Sequence, residues 1–129
     1  MTTDDLKAWL QSEGVTEAFS TDGHIPPAPD RLIVLSLTGG PGEKRERTFD
    51  VLSVQVLTRG KQRSPSDAEQ LAQAVDDVFM GATRPTIGGT YVATIQRAGG
   101  PPTFLAREPN SGRVTMSANY LLEAARSVF

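Results

Sequence analysis

Two β-rich runs, separated by a glycine-rich and highly charged connection, constrain this chain more than any other feature. Residues 32–37 (LIVLSL) are apolar at five of six positions, so as a strand they need cover on both faces. In residues 49–57 (FDVLSVQVL), Leu52, Val54 and Val56 point one way, and Phe49, Val51, Ser53, Gln55 and Leu57 point the other. The two runs predict a central hairpin. Its connection is long for a hairpin: Gly39, Gly40, Pro41 and Gly42 set its direction, and six consecutive charged or polar residues, 43–48, follow.

At 129 residues the chain has room for one sizeable core, and 1–129 is expected to be one domain. Twelve glycines and nine prolines point to frequent turns, as in a β-rich body. Thirteen basic against 15 acidic residues leave a net charge of −2, with no overall field to hold nucleic acid or an anionic membrane surface. The absence of cysteine excludes a disulfide framework and a thiol nucleophile, and fits a reducing compartment. The N-terminal residues are acidic where a signal peptide needs positive charge. No apolar run approaches the roughly 20 residues of a bilayer span. A soluble, unprocessed, intracellular protein without a membrane partner is expected.

Residues 1–14 predict a short helix, with Thr2 or Thr3 as cap, Asp4 and Asp5 in the first turn, Leu6, Trp9 and Leu10 at helical spacing, and Gly14 as stop. Three prolines and a glycine in residues 20–31 forbid helix and predict an extended arm. The body follows, from 32 to 125. Within it, residues 64–81 predict the strongest helix, begun either by a Ser66–Glu69 capping box or by Ser64 with Pro65 in the first turn, and ended by Gly81. Leu71, Ala72, Val75, Val78 and Phe79 form its apolar stripe; Glu69, Gln70, Gln73, Asp76 and Asp77 are expected to face outward.

Beyond the helix, Gly88 and Gly89 predict a turn leading into a strand over 91–95. Residues 103–107 and 113–125, joined by a turn-rich connector, predict a final hairpin. The last segment contains helix-forming residues, but Val114, Met116, Ala118, Tyr120, Leu122 and Ala124 alternate with Arg113, Thr115, Ser117, Asn119, Leu121 and Glu123, which selects a strand.

Chemistry-bearing patterns are sparse. His24 is the sole histidine, in the proline-rich arm, and an isolated imidazole completes neither a metal site nor a triad. Asp76 and Asp77 are adjacent, hence about 100° apart on a helix, which suits a solvated face better than a shared carboxylate site. The glycines and lysine of TGGPGEK lack phosphate-loop spacing and lead to a strand. No catalytic residue, cofactor site or metal site is assigned. The basic concentrations, Arg45 and Arg47 in one loop and Arg59, Lys61 and Arg63 in the other, read as solvated loop charge or as contacts to another chain or passing DNA.

The order of these features matches a known pattern: "PDR" at 29–31 leading into a strand ending "TGG", then "QVLTRG" at 55–60, the helix "DAEQLAQAVDDVF", "GTYVATIQ", and an Asn-Ser-Gly-Arg turn at 110–113 opening "GRVTMSANYLLEA". Over residues 25–125 the chain resembles the minor capsid or tail terminator proteins of long-tailed phages, found also in prophages and gene-transfer particles. It departs from that pattern in the charged "GEKRER" of the first loop and in the alanine-rich "LLEAARSVF" ending.

The resemblance implies an α+β fold, a mixed, mainly antiparallel sheet with helices packed on one face. It implies a non-enzymatic virion protein of the tail or neck, assembled in the host cytoplasm as a homo-oligomeric ring at the head-proximal end of the tail. The ring would end polymerisation of the tail tube protein, dock the head-completion or connector protein, and let DNA through its lumen without specific recognition. Long hairpin loops suit such a subunit, because loop-closure entropy grows slowly with length. Arg45, Arg47, Arg59, Lys61 and Arg63 are then the candidate basic contacts, with Asp76 and Asp77 as a candidate acidic partner surface. The alternatives are a head-tail connector or stopper one layer higher, or a small ligand-binding or enzymatic α/β domain.

Overall fold

The computed structural model describes residues 1–39, 42–43 and 49–125. In chain order the elements are α1 (Thr3–Ser12), β1 (Ala18–Ser20), β2 (Leu32–Leu37), β3 (Gly42–Glu43), β4 (Phe49–Arg59), α2 (Pro65–Gly81), β5 (Thr86–Ile87), β6 (Thr90–Arg97), β7 (Thr103–Arg107) and β8 (Val114–Ala125).

Local chemistry sets the helix ends. Thr2 is the cap of α1: its hydroxyl accepts from the Asp5 amide at 3.2 Å and its own amide donates to the Asp5 carboxylate at 2.8 Å, a reciprocal pair that satisfies two amides. Gly14, at φ +97°, turns the chain away after the last turn. In α2, Ser64 occupies the cap position without a side-chain bond and Pro65 opens the first turn, so the start rests on proline's fixed φ and not on Ser66 and Glu69. Gly81 is the last helical residue, and Ala82 is already extended.

The sheet has eight strands in the order β1-β2-β4-β8-β6-β5, with β3 also on β4 and β7 also on β8. β2 and β4 form the expected antiparallel hairpin, and β4 pairs with β8 from Phe49↔Ala125 to Arg59↔Thr115. β3 continues the first hairpin, with Gly42 opposite Val51 and Glu43 opposite Asp50. Part of the puzzling connection is therefore ladder; Arg45 and Arg47 lie outside the described residues.

β6 and β7 lie end to end along one edge of β8, β6 against its second half and β7 against its first. Ala98 still donates its amide to the Asn119 carbonyl at 2.8 Å, and residues 99–102 (GGPP) then step out of the ladder, since two prolines lack the amide that a continuous strand would need. The parallel strand β1, on the outer side of β2, has no counterpart in the sequence expectations, because three residues are too few to display a period.

Helices and sheet share one core. Leu6, Trp9 and Leu10 of α1 and Leu71, Val75 and Phe79 of α2 join Ile33, Leu35, Val54, Val56, Tyr120 and Leu122 of the sheet. Phe79 is its centre: Trp9 meets it edge-on at 5.3 Å and Tyr120 stacks on it at 4.2 Å. Each such aromatic pair adds about 0.5–1.5 kcal/mol beyond its buried area. A smaller cluster of Ala68, Ala72, Val114 and Met116 seals α2 against the start of β8.

Candidate functional site: an arginine latch

The ends of β2, β4, β7 and β8 meet at the start of α2, and there the charged residues of the sequence motifs converge. Arg59, only 3% exposed, closes β4. Its Nε donates to the Asp30 carbonyl at 2.9 Å, and one terminal nitrogen donates to the carbonyls of Pro26 at 2.9 Å and Pro29 at 2.7 Å. Arg113, just before β8, donates to the Pro27 carbonyl at 2.6 Å and to the Asp30 carboxylate at 3.2 Å. Glu108 joins the pair, 2.6 Å from Arg113 Nε and 3.8 Å from Arg59. Two arginines thus strap the proline-rich arm to the sheet through its backbone, independently of most of the arm's side chains.

Each part has a physical reason. Three of the four captured carbonyls belong to prolines, which accept hydrogen bonds but supply no amide to satisfy anything in return, and a forked guanidinium reaches several acceptors at once. Burial and the neighbouring Arg113 lower the Arg59 pKa, against the pull of Glu108 and Asp30; arginine's ordinary value is so high that it stays charged. Hydrogen bonds from Arg113 and Ser111 hold the Glu108 carboxyl below its usual range. Gly60 follows Arg59 because a Cβ there would stand 2.5 Å from the Ala68 amide nitrogen. Gly112 precedes Arg113 in a left-handed conformation, φ +69°. Arg31 extends the network, bound to Glu17 at 2.8 Å and 3.3 Å from Asp67, which accepts the Lys61 amide at 2.9 Å. The motifs around 29–31, 55–60 and 110–113 are therefore one construction.

This burial corrects the expectation that Arg59 is loop charge, and the outward placement expected of Asp76 is corrected too. Asp76 is 1% exposed. It accepts from Tyr120 Oη at 2.7 Å and from Arg97 at 2.5 and 3.1 Å. Burial alone would raise its pKa, but the bonds from Arg97 and Tyr120 outweigh that and hold it below the ordinary value. The same burial and the same bond push the Tyr120 phenol upward. Helical spacing contained the signal: Asp76 stands four residues after Ala72 and three before Phe79, on the buried side.

Lys61, Arg63 and Asp77 are exposed as expected, Lys61 and Arg63 just before α2 and Asp77 near its far end. His24 is exposed on the arm. Every residue of β7 is exposed, with Phe104 at 60% and Leu105 at 53%. Phe104 and Arg107 line a groove of about 330 Å³ with Pro65, Glu69, Val114 and Met116. Among the described residues no group of three or more His, Cys, Asp and Glu is placed to hold a metal ion, and no helix is long and apolar enough to cross a membrane.

A solved chain from the virion of a native gene transfer agent particle shares this fold, with a TM-score of 0.72 at 12% identity over 96% of this chain and 94% of that one. The family model for bacteriophage tail terminator protein matches residues 10–126. The chain belongs to that family, and its role is structural, in a virion, and not enzymatic. No curated protein matches it.

Proposed function

We propose that this protein is the tail terminator itself: a homo-oligomeric ring at the head-proximal end of the phage tail that ends tube polymerisation and docks the head-completion or connector protein. The observation that carries this reading is the family match over residues 10–126, nearly the whole chain. In this reading residues 1–129 act as one domain with both helices on one face of the sheet. It assembles in the host cytoplasm, and DNA passes through the lumen unread.

The charged candidates divide between the two ends of α2. Lys61 and Arg63 precede it and Asp77 lies near its end, about 20 Å away at 1.5 Å per residue. We assign them to axial contacts with the layers above and below, together with Arg45 and Arg47 of the first connection. Arg59 and Asp76 serve the interior instead. Light scattering and negative-stain images of the concentrated protein, alone and with tail tubes, test the reading. Closed rings on tube ends are expected; a strict monomer that ignores tubes contradicts it.

A further inference from the structure

Among the described residues no further strand pairs with the outer side of β1 or of β7, and these two edges are matched. β1 is outermost on one side of the order, and β7 lies on the other side of β8. Three cross-strand rows run through all five strands between them: Ala18, Leu32, Arg59, Thr115, Ala106; then Phe19, Ile33, Thr58, Met116, Phe104; then Ser20, Val34, Leu57, Ser117, Thr103. The three residues of β1 thus share their cross-strand rows with Thr103, Phe104 and Ala106 of β7, where Leu105 is the extra residue of a register shift.

Direction is matched as well. β1 is parallel to β2, and the steps from β2 to β4, β8 and β7 are each antiparallel, so β1 and β7 run in opposite senses. A copy rotated about an axis along the strands keeps its own strand directions and brings its β1 antiparallel to β7. The shared rows set the register of that pairing, and a heterologous contact of this kind makes a ring when its rotation closes.

The side chains agree with that register. Phe104 lies opposite Met116 and shares its face, and Phe19 packs against the core, so both phenylalanines project to the helix side. One residue beyond the shared rows, exposed Arg107 comes opposite Glu17, which already carries Arg31 at 2.8 Å. An exposed edge with Phe104 and Leu105 on it, five residues long, is otherwise an open template for pairing.

We infer that the occupant of the β7 edge is β1 of a second copy of this chain, paired antiparallel with Ala106 opposite Ala18, Phe104 opposite Phe19 and Thr103 opposite Ser20. The pairing rests on the ring reading above and specifies its lateral contact. Main-chain hydrogen bonds join neighbours, the two phenylalanines seal the groove beside α2, and Arg107 with Glu17 fixes the register.

The cysteine-free chain makes a direct test possible. In the full-length Ala18→Cys/Ala106→Cys variant the two thiols of one chain are separated by four strand spacings, about 19 Å, beyond the roughly 7 Å that a disulfide spans. Every disulfide must therefore join two copies. Oxidation at ring-forming concentration is expected to give a covalent ladder of dimers, trimers and higher species on a non-reducing gel, with neither single variant giving species above dimer. Rings seen in negative stain without the ladder overturn this pairing and leave the ring reading standing. Dimers from Ala106→Cys alone, matching the yield of the double variant, overturn it in favour of two-fold β7 pairing. A chain with native circular dichroism that forms neither rings nor ladder overturns both. Leu105→Lys, at an exposed position, gives a second readout: the concentration needed for assembly rises about tenfold or more without loss of fold.

Discussion

Tyr120 Oη donates to Asp76 Oδ1 at 2.7 Å, tying the middle of the longest strand to the main helix inside the core. The same carboxylate holds Arg97 of β6, so one buried group joins three elements. Tyr120→Phe is expected to cost about 1.5 kcal/mol, the worth of a hydrogen bond to a charged group. Asp76→Ala is expected to cost about 3 kcal/mol, since it leaves the phenol unsatisfied in a packed core. The double variant should cost less than the two together. Urea unfolding of the three variants checks this, and strict additivity contradicts the coupling.

Acid should weaken the fold through the same residue. The Asp76 pKa in the folded chain is held below its ordinary 3.8, so on acidification the unfolded chain takes up a proton first. The stabilisation is complete well above that value and is lost as pH falls through the depressed folded one. Glu108 acts in the same direction and contributes less, because its side chain is 38% exposed and screened. Stability measured between about pH 5 and 2 should fall with a slope that Asp76→Asn reduces. An unchanged slope in that variant contradicts the assignment.

Arg59→Lys tests the latch. Lysine keeps the charge but concentrates its donors on one nitrogen, which cannot reach the carbonyls of Asp30, Pro26 and Pro29 together. A loss of about 2 kcal/mol is expected, with faster amide exchange at Ile25, Ala28 and Asp30 in the arm. Wild-type exchange in those residues would show that the arm is held by something else.

The exposed charges should behave in the opposite way. Lys61→Glu and Asp77→Lys are each expected to change stability by no more than about 0–1 kcal/mol, yet, if the protein forms the proposed ring, to weaken its attachment to the neighbouring layers. On the proposed ring reading the defect should be largest at low salt, because exposed charges are screened over about 8 Å at physiological ionic strength. Attachment equal to wild type at low and high salt would return both residues to plain solvated surface.

Periodicity made most of the fold legible. The alternation over residues 114–124 identified β8 against its helix-forming composition, because Val114, Met116, Tyr120, Leu122 and Ala124 all had to be buried on one side. Residue type misled where a charge was paired inside. Asp76 and Arg59 look like surface residues to any argument from polarity, and what buries them are partners distant in sequence: Tyr120 and Arg97 for one, the arm's carbonyls for the other. The latch was present in the sequence as three separate motifs. Their convergence requires the register of β4 on β8, which brings Arg59 beside Thr115 and so near Arg113. β1, β3 and the step at 99–102 are too short to carry a pattern of their own.

Whether this protein ends the growth of the tail tube is decided by the length distribution of tails in particles assembled without it. Electron micrographs of such a deletion are expected to show tails of uncontrolled length beside unattached heads, with normal lengths restored by the intact gene. Free tails of normal length beside heads that leak DNA would contradict the terminator role and place the protein on the head side, as a stopper.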